Sequence, residues 1–365
     1  MKITGYRAEH FRNLQTVEFV PDSGINVIFG ENGQGKTNII ESIWMFTGCH
    51  SFRTHKCAEL VEKNQREAKV SLSFVAHGME NDAQLKVHQK REFLLNGVPK
   101  ESPRKFLGEF QSVVFSPSSL AIIQDAPSER RKFLDIAISM IKPAYSVHLL
   151  KYAKILANRN ALLKQIGAGL APENYLDPWD EELARTGAKL TQYRLNYVDR
   201  LAEIASEIYK EISGGKEILK VEYQQSSRSF AVDEYELTEN IFIALQKNRE
   251  GDIRRQQTGV GPHKDDLSVQ IDDLSARFYG SQGQQRSGAL ALKLSEAYII
   301  KEISGEYPVI LLDDVMSELD SKRQDFLLEY LENWQVFLTC CDLSHFSKLR
   351  ESKTFRIENG AWIGE

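Results

Sequence analysis

The segment GENGQGKT, residues 30–37, has the residue types and the spacing of a phosphate-binding loop. It fits the pattern G-x-x-x-x-G-K-[ST], with an apolar stretch before it and a helical pattern after it. Its glycines allow backbone N–H groups to face a phosphate, Lys36 can reach the β- and γ-phosphates of a nucleotide, and the Thr37 hydroxyl can bind Mg²⁺. A chance glycine-rich turn is the alternative, and the flanking strand and helix argue against it. The predicted nucleotide-binding residues are Gly30, Glu31, Asn32, Gly33, Gln34, Gly35, Lys36 and Thr37.

Two adjacent acids, Asp313 and Asp314, end the apolar segment VILLDD at residues 309–314. A carboxylate beside a buried strand is costly unless a cation or a proton accompanies it. We therefore predict that Asp313 binds Mg²⁺ together with Thr37, and that Asp314 orients or deprotonates an attacking water molecule. Acids that only cap a turn after a core strand are the alternative, which the phosphate-binding loop in the same chain disfavours. Lys36 and Asp314 are the predicted catalytic residues.

The polar segment SQGQQR, residues 281–286, contains no acid, cysteine or histidine that could make or break a bond. It follows Gly280 and precedes a helical pattern, which predicts a helix N-terminus with a hydroxyl at Ser281 and an unhindered backbone at Gly283. Such a terminus can donate hydrogen bonds to a phosphate during its transfer. A capped helix start without a ligand has the same spacing, and the local sequence leaves both interpretations open.

Short β-rich segments bounded by turn formers dominate the first hundred residues. Asn96-Gly97 and Asn359-Gly360 supply the positive φ angles of tight hairpin turns. After residue 267, strand and helix patterns alternate, with helices expected at about 284–303 and 321–332. The predicted strands span residues 16–20, 25–29, 69–76, 83–88, 268–272, 308–314 and 335–340.

The middle of the chain has a helical pattern, with apolar residues such as Leu183, Leu190 and Tyr197 at helical spacing. A packed helical hairpin explains this stripe better than a ligand-binding surface does. The Gly- and Pro-containing segment 167–178 predicts the connection between two antiparallel helices. We therefore predict an α/β fold whose two parts, residues 1–102 and 257–365, enclose an inserted helical lobe, residues 103–256.

Composition places the chain among folded globular proteins. Of its 365 residues, 42% are hydrophobic and 27% are charged, which excludes a disordered or fibrous protein. The formal net charge of −5 does not by itself indicate a nucleic-acid partner. The four cysteines lack the spacing of a zinc site, and the sequence contains neither a long apolar run nor a secretory leader. These features predict a cytoplasmic protein with reduced thiols and no membrane partner.

Several segments resemble the RecF family of bacterial recombination-mediator ATPases, which is related to SMC proteins. GSQGQQR at 280–286 resembles the signature motif of ABC-type ATPases, with Ser281, Gly283 and Gln284 at matching positions and Gln282 where transporters have glycine. SELD at 317–320 resembles the D-loop of these ATPases. The other matching segments are HFRNL (10–14), GQGKTNIIESI (33–43), SFRTHKCAELV (51–61), PSERRKFLD (127–135), GPHKDDL (261–267) and LLDDVMSELD (311–320).

The resemblance implies an ABC-type ATPase head that binds ATP and Mg²⁺. In such heads two copies pack head to tail about a two-fold axis, and each signature motif completes the ATP site of the other copy. Ser281, Gly283 and Gln284 would then contact ATP held by the second copy, and Asp320 would lie near the two-fold axis. Many ABC ATPases have glutamate where this chain has Asp314, and the shorter side chain implies slow hydrolysis.

Two further positions are left open by the resemblance. Where transporters have a switch histidine, the sequence LTCCD offers Thr339, Cys340 or Cys341. Arg53 is either an ATP-contacting arginine, by analogy with SMC heads, or a solvated surface residue.

The resemblance also implies binding of duplex DNA and of junctions between duplex and single-stranded DNA, with RecO and RecR as partners in loading RecA. Phosphate contacts require basic side chains aligned on one face, which an ATP-dependent homodimer could assemble from weak patches on two copies. Each basic cluster alone is more often a solvated helix face, and a structural role is the alternative for Arg130 and Arg131, which lie among acids. The candidate DNA-binding residues are Arg104, Lys105, Arg130, Arg131, Arg254 and Arg255.

The predicted function is an ATP-dependent DNA-binding protein of recombinational and replication-gap repair, with weak, DNA-dependent ATPase activity. A nucleotide-binding subunit of an ABC transporter would need a helical subdomain for a membrane partner and usually a shorter chain. An SMC-like structural tether would need long coiled-coil arms, for which the helical lobe is too short. A small-molecule kinase would have no use for SQGQQR and SELD.

Overall fold

A computed structural model describes residues 1–227, 231–341 and 352–364. The chain forms two compact units: residues 1–120 and 289–365 make unit 1, and residues 121–288 make unit 2. The boundaries of these units differ from the predicted ones at 102/103 and 256/257. Strand pairing explains the difference, because Ser112–Phe115 pairs with a strand of unit 1 and Asp266–Ile271 pairs with a strand of unit 2.

The N-terminal sheet of unit 1 is antiparallel and has six strands. Numbered in chain order, they are β1 (Lys2–Phe11), β2 (Leu14–Phe19), β4 (Ala68–Ala76), β5 (Met79–Val87), β6 (Arg91–Leu95) and β7 (Val98–Lys100). They lie in the order β2-β1-β4-β5-β6-β7. Every second residue of β4 is buried, since successive side chains of a strand point to opposite faces. The predicted Asn96-Gly97 turn joins β6 to β7, and both of its residues have positive φ angles.

The second sheet of unit 1 is largely parallel and also has six strands. They are β3 (Ile25–Phe29), β8 (Ser112–Phe115), β12 (Val309–Leu312), β13 (Val336–Cys340), β14 (Lys353–Glu358) and β15 (Ala361–Ile363). They lie in the order β15-β14-β3-β13-β12-β8, with β15 antiparallel to β14. All residues of β8, β12 and β13 are buried, which is typical of parallel strands covered on both faces. The loops after the parallel strands β3, β12 and β13 therefore meet at one edge of the sheet.

Two helices flank this edge in unit 1. Helix α1 (Lys36–Trp44) follows β3 through the phosphate-binding loop, and α9 (Ser321–Tyr330) connects β12 to β13. Helix α8 (Gln282–Ser304) begins in unit 2 and ends in unit 1. Among the helices that the structure describes, none is long and apolar enough to cross a membrane.

Unit 2 contains the predicted helical lobe together with a three-stranded antiparallel sheet. Its other helices are α2 (Ala121–Gln124), α3 (Pro127–Ile141), α4 (Pro143–Gly167), α5 (Asp177–Ser213), α6 (Glu234–Arg255) and α7 (Ala276–Tyr279). Its strands are β9 (Leu219–Gln224), β10 (Asp266–Ile271) and β11 (Leu274–Ser275), in the order β11-β10-β9. The apolar stripe of α5 is buried at Leu183, Leu190 and Tyr197, as its spacing predicted. The mixed α/β fold class is confirmed.

Candidate nucleotide site and signature segment

The loop between β3 and α1 depends on glycines in left-handed backbone conformations. Gly30, Gly33 and Gly35 have φ angles of 150°, 82° and 115°. A Cβ atom at Gly30 would lie 2.3 Å from the Ile357 carbonyl oxygen, and one at Gly35 would lie 2.7 Å from a methyl group of Leu14. Any larger residue at either position would therefore force the loop to move.

The Asn13 side chain and the C-terminal hairpin hold this loop. The Asn13 amide donates to the Gly33 carbonyl at 2.8 Å, and its oxygen accepts from the Asn38 amide at 2.6 Å. On the other side, the Asn359 N–H donates to the Gln34 side-chain oxygen at 2.5 Å, and the Gly360 N–H donates to the Gln34 carbonyl at 3.1 Å. The loop is thus fixed from both sides before any ligand binds, which favours preorganised phosphate recognition.

The Lys36 ammonium lies inside the curve of the loop. It donates to the carbonyl oxygens of Gly30 and Glu31 at 2.5 Å and 2.9 Å, and it lies 3.7 Å from the Cys341 sulfur. The Cys341 thiol in turn donates to the Asn32 side-chain oxygen at 3.0 Å. A cavity of about 460 Å³ lies beside these residues and is lined in part by Gly30, Glu31 and Cys341.

Asp313 lies at the carboxyl end of β12, where its side chain is 5% exposed. Its carboxylate accepts hydrogen bonds from the Thr37 hydroxyl at 2.9 Å and from the Thr339 hydroxyl at 3.0 Å. Burial raises the pKa of Asp313 above its ordinary value, and the two hydroxyl groups partly offset that shift. The structure thus brings together the two residues that the sequence predicted as metal ligands.

Asp314, the next residue, is exposed and has a φ angle of 52°. This left-handed conformation costs roughly 1 kcal/mol for a residue with a side chain, although aspartate tolerates it better than most. Two hydroxyl groups stabilise it: the Asp314 N–H donates to the Thr339 oxygen at 2.9 Å, and the Ser317 hydroxyl lies 2.9 Å from both the carbonyl and a carboxylate oxygen of Asp314. The positive φ angle at Asp314 turns the backbone, so that the Asp313 side chain is buried and the Asp314 side chain is exposed.

The sequence offered Thr339 only as one of three candidates for the switch position, and it did not predict that this residue, which is 2% exposed, contacts both acids. Of the three residues considered for the switch position, Thr339 contacts the acids, Cys341 contacts Lys36, and Cys340 is buried. The apolar pattern of VFLTC showed only that this strand is buried. The partners of the hydroxyl depend on the neighbouring strand β12, which no local pattern identifies.

A buried carboxylate, Glu41 on α1, organises the residues beside the loop. It accepts two hydrogen bonds from the Arg12 guanidinium at 2.5 Å and 2.6 Å, and one from the Ser51 hydroxyl at 2.5 Å. Arg53 donates to the Asn38 side-chain oxygen at 2.7 Å and lies 3.4 Å from Glu41. Arg53 is therefore held against the phosphate-loop helix.

The signature segment, defined as residues 280–286, forms the start of α8 in unit 2. Ser281 and Gln284 make a reciprocal capping box: the Gln284 N–H donates to the Ser281 hydroxyl at 3.2 Å, and the Ser281 N–H donates to the Gln284 side chain at 2.8 Å. Ser281 is exposed and Gly283 is half-buried. The predicted helix N-terminus is present, and its capping by Ser281 accounts for the spacing whether or not a ligand binds there.

Asp320, the last residue of SELD, caps α9. Its carboxylate accepts from the Arg323 N–H at 3.0 Å, which lowers the pKa of Asp320 below its ordinary value. The Arg323 guanidinium also pairs with this carboxylate.

The basic residues predicted to contact DNA have different environments. Arg104 and Lys105 are exposed in a short helical turn of unit 1, and Arg254 is exposed at the end of α6. Arg130, by contrast, is 6% exposed and makes a bidentate ion pair with Asp266 at 2.7 Å and 2.8 Å.

The two remaining predicted DNA contacts are also engaged. Arg131 donates to the Asp265 carbonyl at 2.9 Å, and Arg255 lies 3.3 Å from Asp252. The Arg130 and Arg131 contacts hold α3 to the start of β10 within unit 2.

Comparisons with known proteins agree with this geometry. The family model described as "RecF/RecN/SMC N terminal domain" matches residues 2–361. A solved Smc head bound to the C-winged helix domain of ScpA has a TM-score of 0.55 at 15% identity and covers 99% of this chain and 96% of its own, which is a likeness of fold alone. The fold and the arrangement of Lys36, Thr37 and Asp313 thus define an ABC-type P-loop ATPase head.

More specific similarity comes from full-length relatives. A protein of Clostridium tetani (strain Massachusetts / E88) named "DNA replication and repair protein RecF" is 36% identical over 358 residues, which are 97% of each chain. A protein of the same name from Lachnospira eligens is 37% identical over 371 residues and covers all of both chains. A solved structure described as "Structure of the recombination mediator protein RecF-ATPrS in RecFOR pathway" has a TM-score of 0.92 and 37% identity, covering 99% of this chain and 97% of that one. The chain belongs to the RecF family.

Proposed function

We propose that this protein is an ATP-dependent DNA-binding ATPase of DNA replication and repair, in which ATP joins two copies around DNA and slow hydrolysis separates them. The proposal rests on the RecF-family membership and on the site at the edge of the parallel sheet. Neither a transporter subunit nor a structural tether is favoured, because the relatives that match the whole chain are named as DNA replication and repair proteins.

The residues of the site fit a nucleotide with Mg²⁺. Thr37 and Asp313 offer hydroxyl and carboxylate oxygens, the ligands that Mg²⁺ prefers, and their side chains are already 2.9 Å apart. A bound cation would also relieve the cost of an ionised, buried Asp313. Lys36 would exchange the carbonyl oxygens of Gly30 and Glu31 for phosphate oxygens without a large movement. Mg²⁺ would supply positive charge that offsets the negative charge of the phosphates.

Hydrolysis would use Asp314 as the base that orients or deprotonates the attacking water. Its side chain is exposed, and its backbone is held by Thr339 and Ser317, so the carboxylate keeps one direction. Thr339 acts as a positioning residue because its hydroxyl connects the two acids. An aspartate in place of glutamate has a shorter reach to the water, which supports slow turnover.

The second half of the active site would come from another copy. Ser281 and Gly283 lie at an accessible helix N-terminus, whose N–H groups and positive dipole suit the γ-phosphate of ATP held by the second copy. Gln284 would hold the Ser281 backbone through the capping box, and Asp320 would lie close to the two-fold axis. ATP would then link the copies, and dimer stability would follow nucleotide occupancy.

DNA would be bound by the ATP-joined dimer, as duplex or at junctions with single-stranded DNA. Exposed Arg104, Lys105 and Arg254 remain candidates for phosphate contacts, whereas Arg130 is occupied by Asp266. RecO and RecR are proposed as partners in loading RecA, since a related solved structure is described as belonging to the RecFOR pathway.

The contact between Thr37 and Asp313 beside Lys36 carries this proposal. The test measures duplex DNA binding by fluorescence anisotropy with ATP, with ADP and without nucleotide, always with Mg²⁺ present. We expect the protein to bind duplex DNA tightly only in the presence of ATP. Equal DNA binding in all three conditions would refute ATP-gated DNA binding. Asp313→Asn should lose the ATP dependence, whereas Asp325→Asn, a control on α9, should keep it.

A further inference from the structure

Three segments of unit 1 that are distant in sequence meet over a small aromatic core. Phe46, Phe93 and Phe106 are fully or almost fully buried, and their ring centroids lie 4.9 to 6.3 Å apart. Phe46 precedes the loop at residues 48–56, Phe93 belongs to β6, and Phe106 ends the turn at residues 103–106. The packing of these rings fixes the positions of the polar residues that flank them.

Four basic side chains flank this aromatic core: His50, His55, Arg91 and Arg104, here called the basic cluster. The rings of His50 and His55 meet edge to face at 5.3 Å. Arg91 donates to the Cys49 carbonyl, which places its guanidinium beside His50. The turn that carries Arg104 packs against the same loop, since a Cβ atom at Gly48 would lie 2.7 Å from the Pro103 carbonyl oxygen. The other three groups of the cluster all act electrostatically on His50.

None of the four side chains has a carboxylate partner among the residues that the structure describes. Neighbouring basic residues differ in this respect, because Lys56 pairs with Glu59 and Lys90 pairs with Glu92. Partial burial of its ring, followed by the charges of Arg91, His55 and Arg104, lowers the pKa of His50 to about 4, so this imidazole is an uncharged hydrogen-bond donor at neutral pH. Arg91 and Arg104 carry positive charge at neutral pH, and arginines gathered without counter-charges among the described residues are characteristic of sites that bind an anion.

We propose that the basic cluster binds the phosphate backbone of duplex DNA. Two arginine guanidinium groups and two imidazoles on a rigid base offer several directed N–H donors, which suits consecutive phosphates of a duplex better than one small anion. Three of the four residues, His50, His55 and Arg104, are exposed. The inference rests on the proposed function for DNA binding itself, and it adds the residues of unit 1 that make the contact.

The test compares Arg104→Gln with Arg7→Gln. Arg104 is exposed and has no carboxylate partner in the part of the chain that the structure describes, whereas Arg7 is an exposed arginine of the same unit whose charge is balanced by Glu9 and Glu18. Binding of a fluorescent duplex is measured with MgATP at several salt concentrations. We expect Arg104→Gln to weaken binding about tenfold and to reduce the slope of log affinity against log salt by about 1, while Arg7→Gln leaves both unchanged.

Further variants and readouts separate this inference from the proposed function. His50→Gln should weaken binding about threefold, and the double variant with Arg104→Gln should lose more than either single variant. ATP affinity and ATP-dependent sedimentation should match those of the unmodified protein in every variant. If the unmodified protein binds no DNA with ATP, both proposals fail. If it binds DNA and Arg104→Gln binds equally well with the same salt slope, the basic cluster alone is refuted.

Discussion

The phosphate loop in unit 1 and the signature segment in unit 2 differ in where the hydrogen-bond partners of their key side chains come from. Around the loop, Thr37 and Asp313 are held by partners from other strands or loops, and Lys36 is held by carbonyl oxygens of the loop itself. In the signature segment, Ser281 is held through the local capping box with Gln284, and its side chain faces solvent. Gln284 also donates to the distant Glu217 at 3.0 Å, so the fold holds the segment in place while the Ser281 hydroxyl stays at an exposed helix start.

This difference indicates which region binds the nucleotide and which region depends on a second copy. A preorganised loop can bind a nucleotide before anything else is present, because its donors and acceptors already have their positions. An exposed helix N-terminus gains its function only when an anion is brought to it. A single copy of the protein should therefore bind the nucleotide, and a second copy should be needed to complete the ATP site.

The largest expected effect is a loss of ATP affinity when the phosphate loop is changed. Lys36→Met removes the ammonium that the loop holds at 2.5 Å from the Gly30 carbonyl. We expect ATP affinity to fall by about 100-fold or more, since charge-assisted hydrogen bonds to phosphate are lost. Isothermal titration calorimetry measures this change. The control Glu31→Gln, in the same loop, should bind nearly as the unmodified protein does, and an equal loss in both variants would mean that loop folding rather than the ammonium was affected.

Ser281→Asp separates the two roles of the signature segment. Aspartate is as good an N-cap as serine, so the thermal stability should change little. Its negative charge would repel the γ-phosphate, so ATP-driven dimerisation should weaken on the order of 100-fold while ATP binding by the single copy is retained. Analytical ultracentrifugation distinguishes the outcomes. Normal dimerisation of Ser281→Asp would show that the segment is only a capped helix.

Thr339→Val tests whether one buried hydroxyl positions both acids. Valine has nearly the same shape, but it can neither donate to Asp313 nor accept from the Asp314 N–H. We expect hydrolysis to slow about tenfold, with ATP affinity within about twofold of the unmodified value. Thr339→Ser should restore the rate. If both variants lower the rate equally, packing of β13 rather than the hydroxyl is responsible.

The smallest expected effect is on the stability of the protein without nucleotide, which Asp313→Asn should increase. Because burial raises the pKa of Asp313 in the folded protein, its ionised form at neutral pH destabilises the fold. Without nucleotide the variant should be more stable than the unmodified protein by about 1 kcal/mol at pH 7. This gain should shrink as the pH falls, because the aspartate is then protonated. Thermal unfolding at several pH values measures it, and a gain that does not depend on pH would contradict this explanation.

Local patterns predicted much of the fold. Both Asn-Gly turns have positive φ angles at each residue, and the strands at 25–29 and 335–340 agree closely with β3 and β13. Strand β1 was not predicted, since its sequence KITGYRAEHF mixes glycine and charged residues with apolar ones. It forms because β2 and β4 pair with it on both sides, so tertiary context overrides propensity.

The site could be predicted only where its residues are adjacent in sequence. The loop at 30–37 and the pair Asp313-Asp314 follow from spacing, because each motif is local. The roles of Thr339 and of the basic cluster depend on contacts between distant segments. The ion pair of Arg130 with Asp266, which are 136 residues apart, likewise could not be read from a pattern of neighbouring charges.

Sedimentation velocity of Asp314→Asn with saturating MgATP tests the central claim most directly. Asparagine tolerates the left-handed backbone of this position, so the variant should bind ATP and hydrolyse it very slowly. We expect a stable dimer with ATP and a single copy with ADP. A single copy that is fully loaded with ATP, and that remains single at concentrations well above the ATP dissociation constant, would contradict the account.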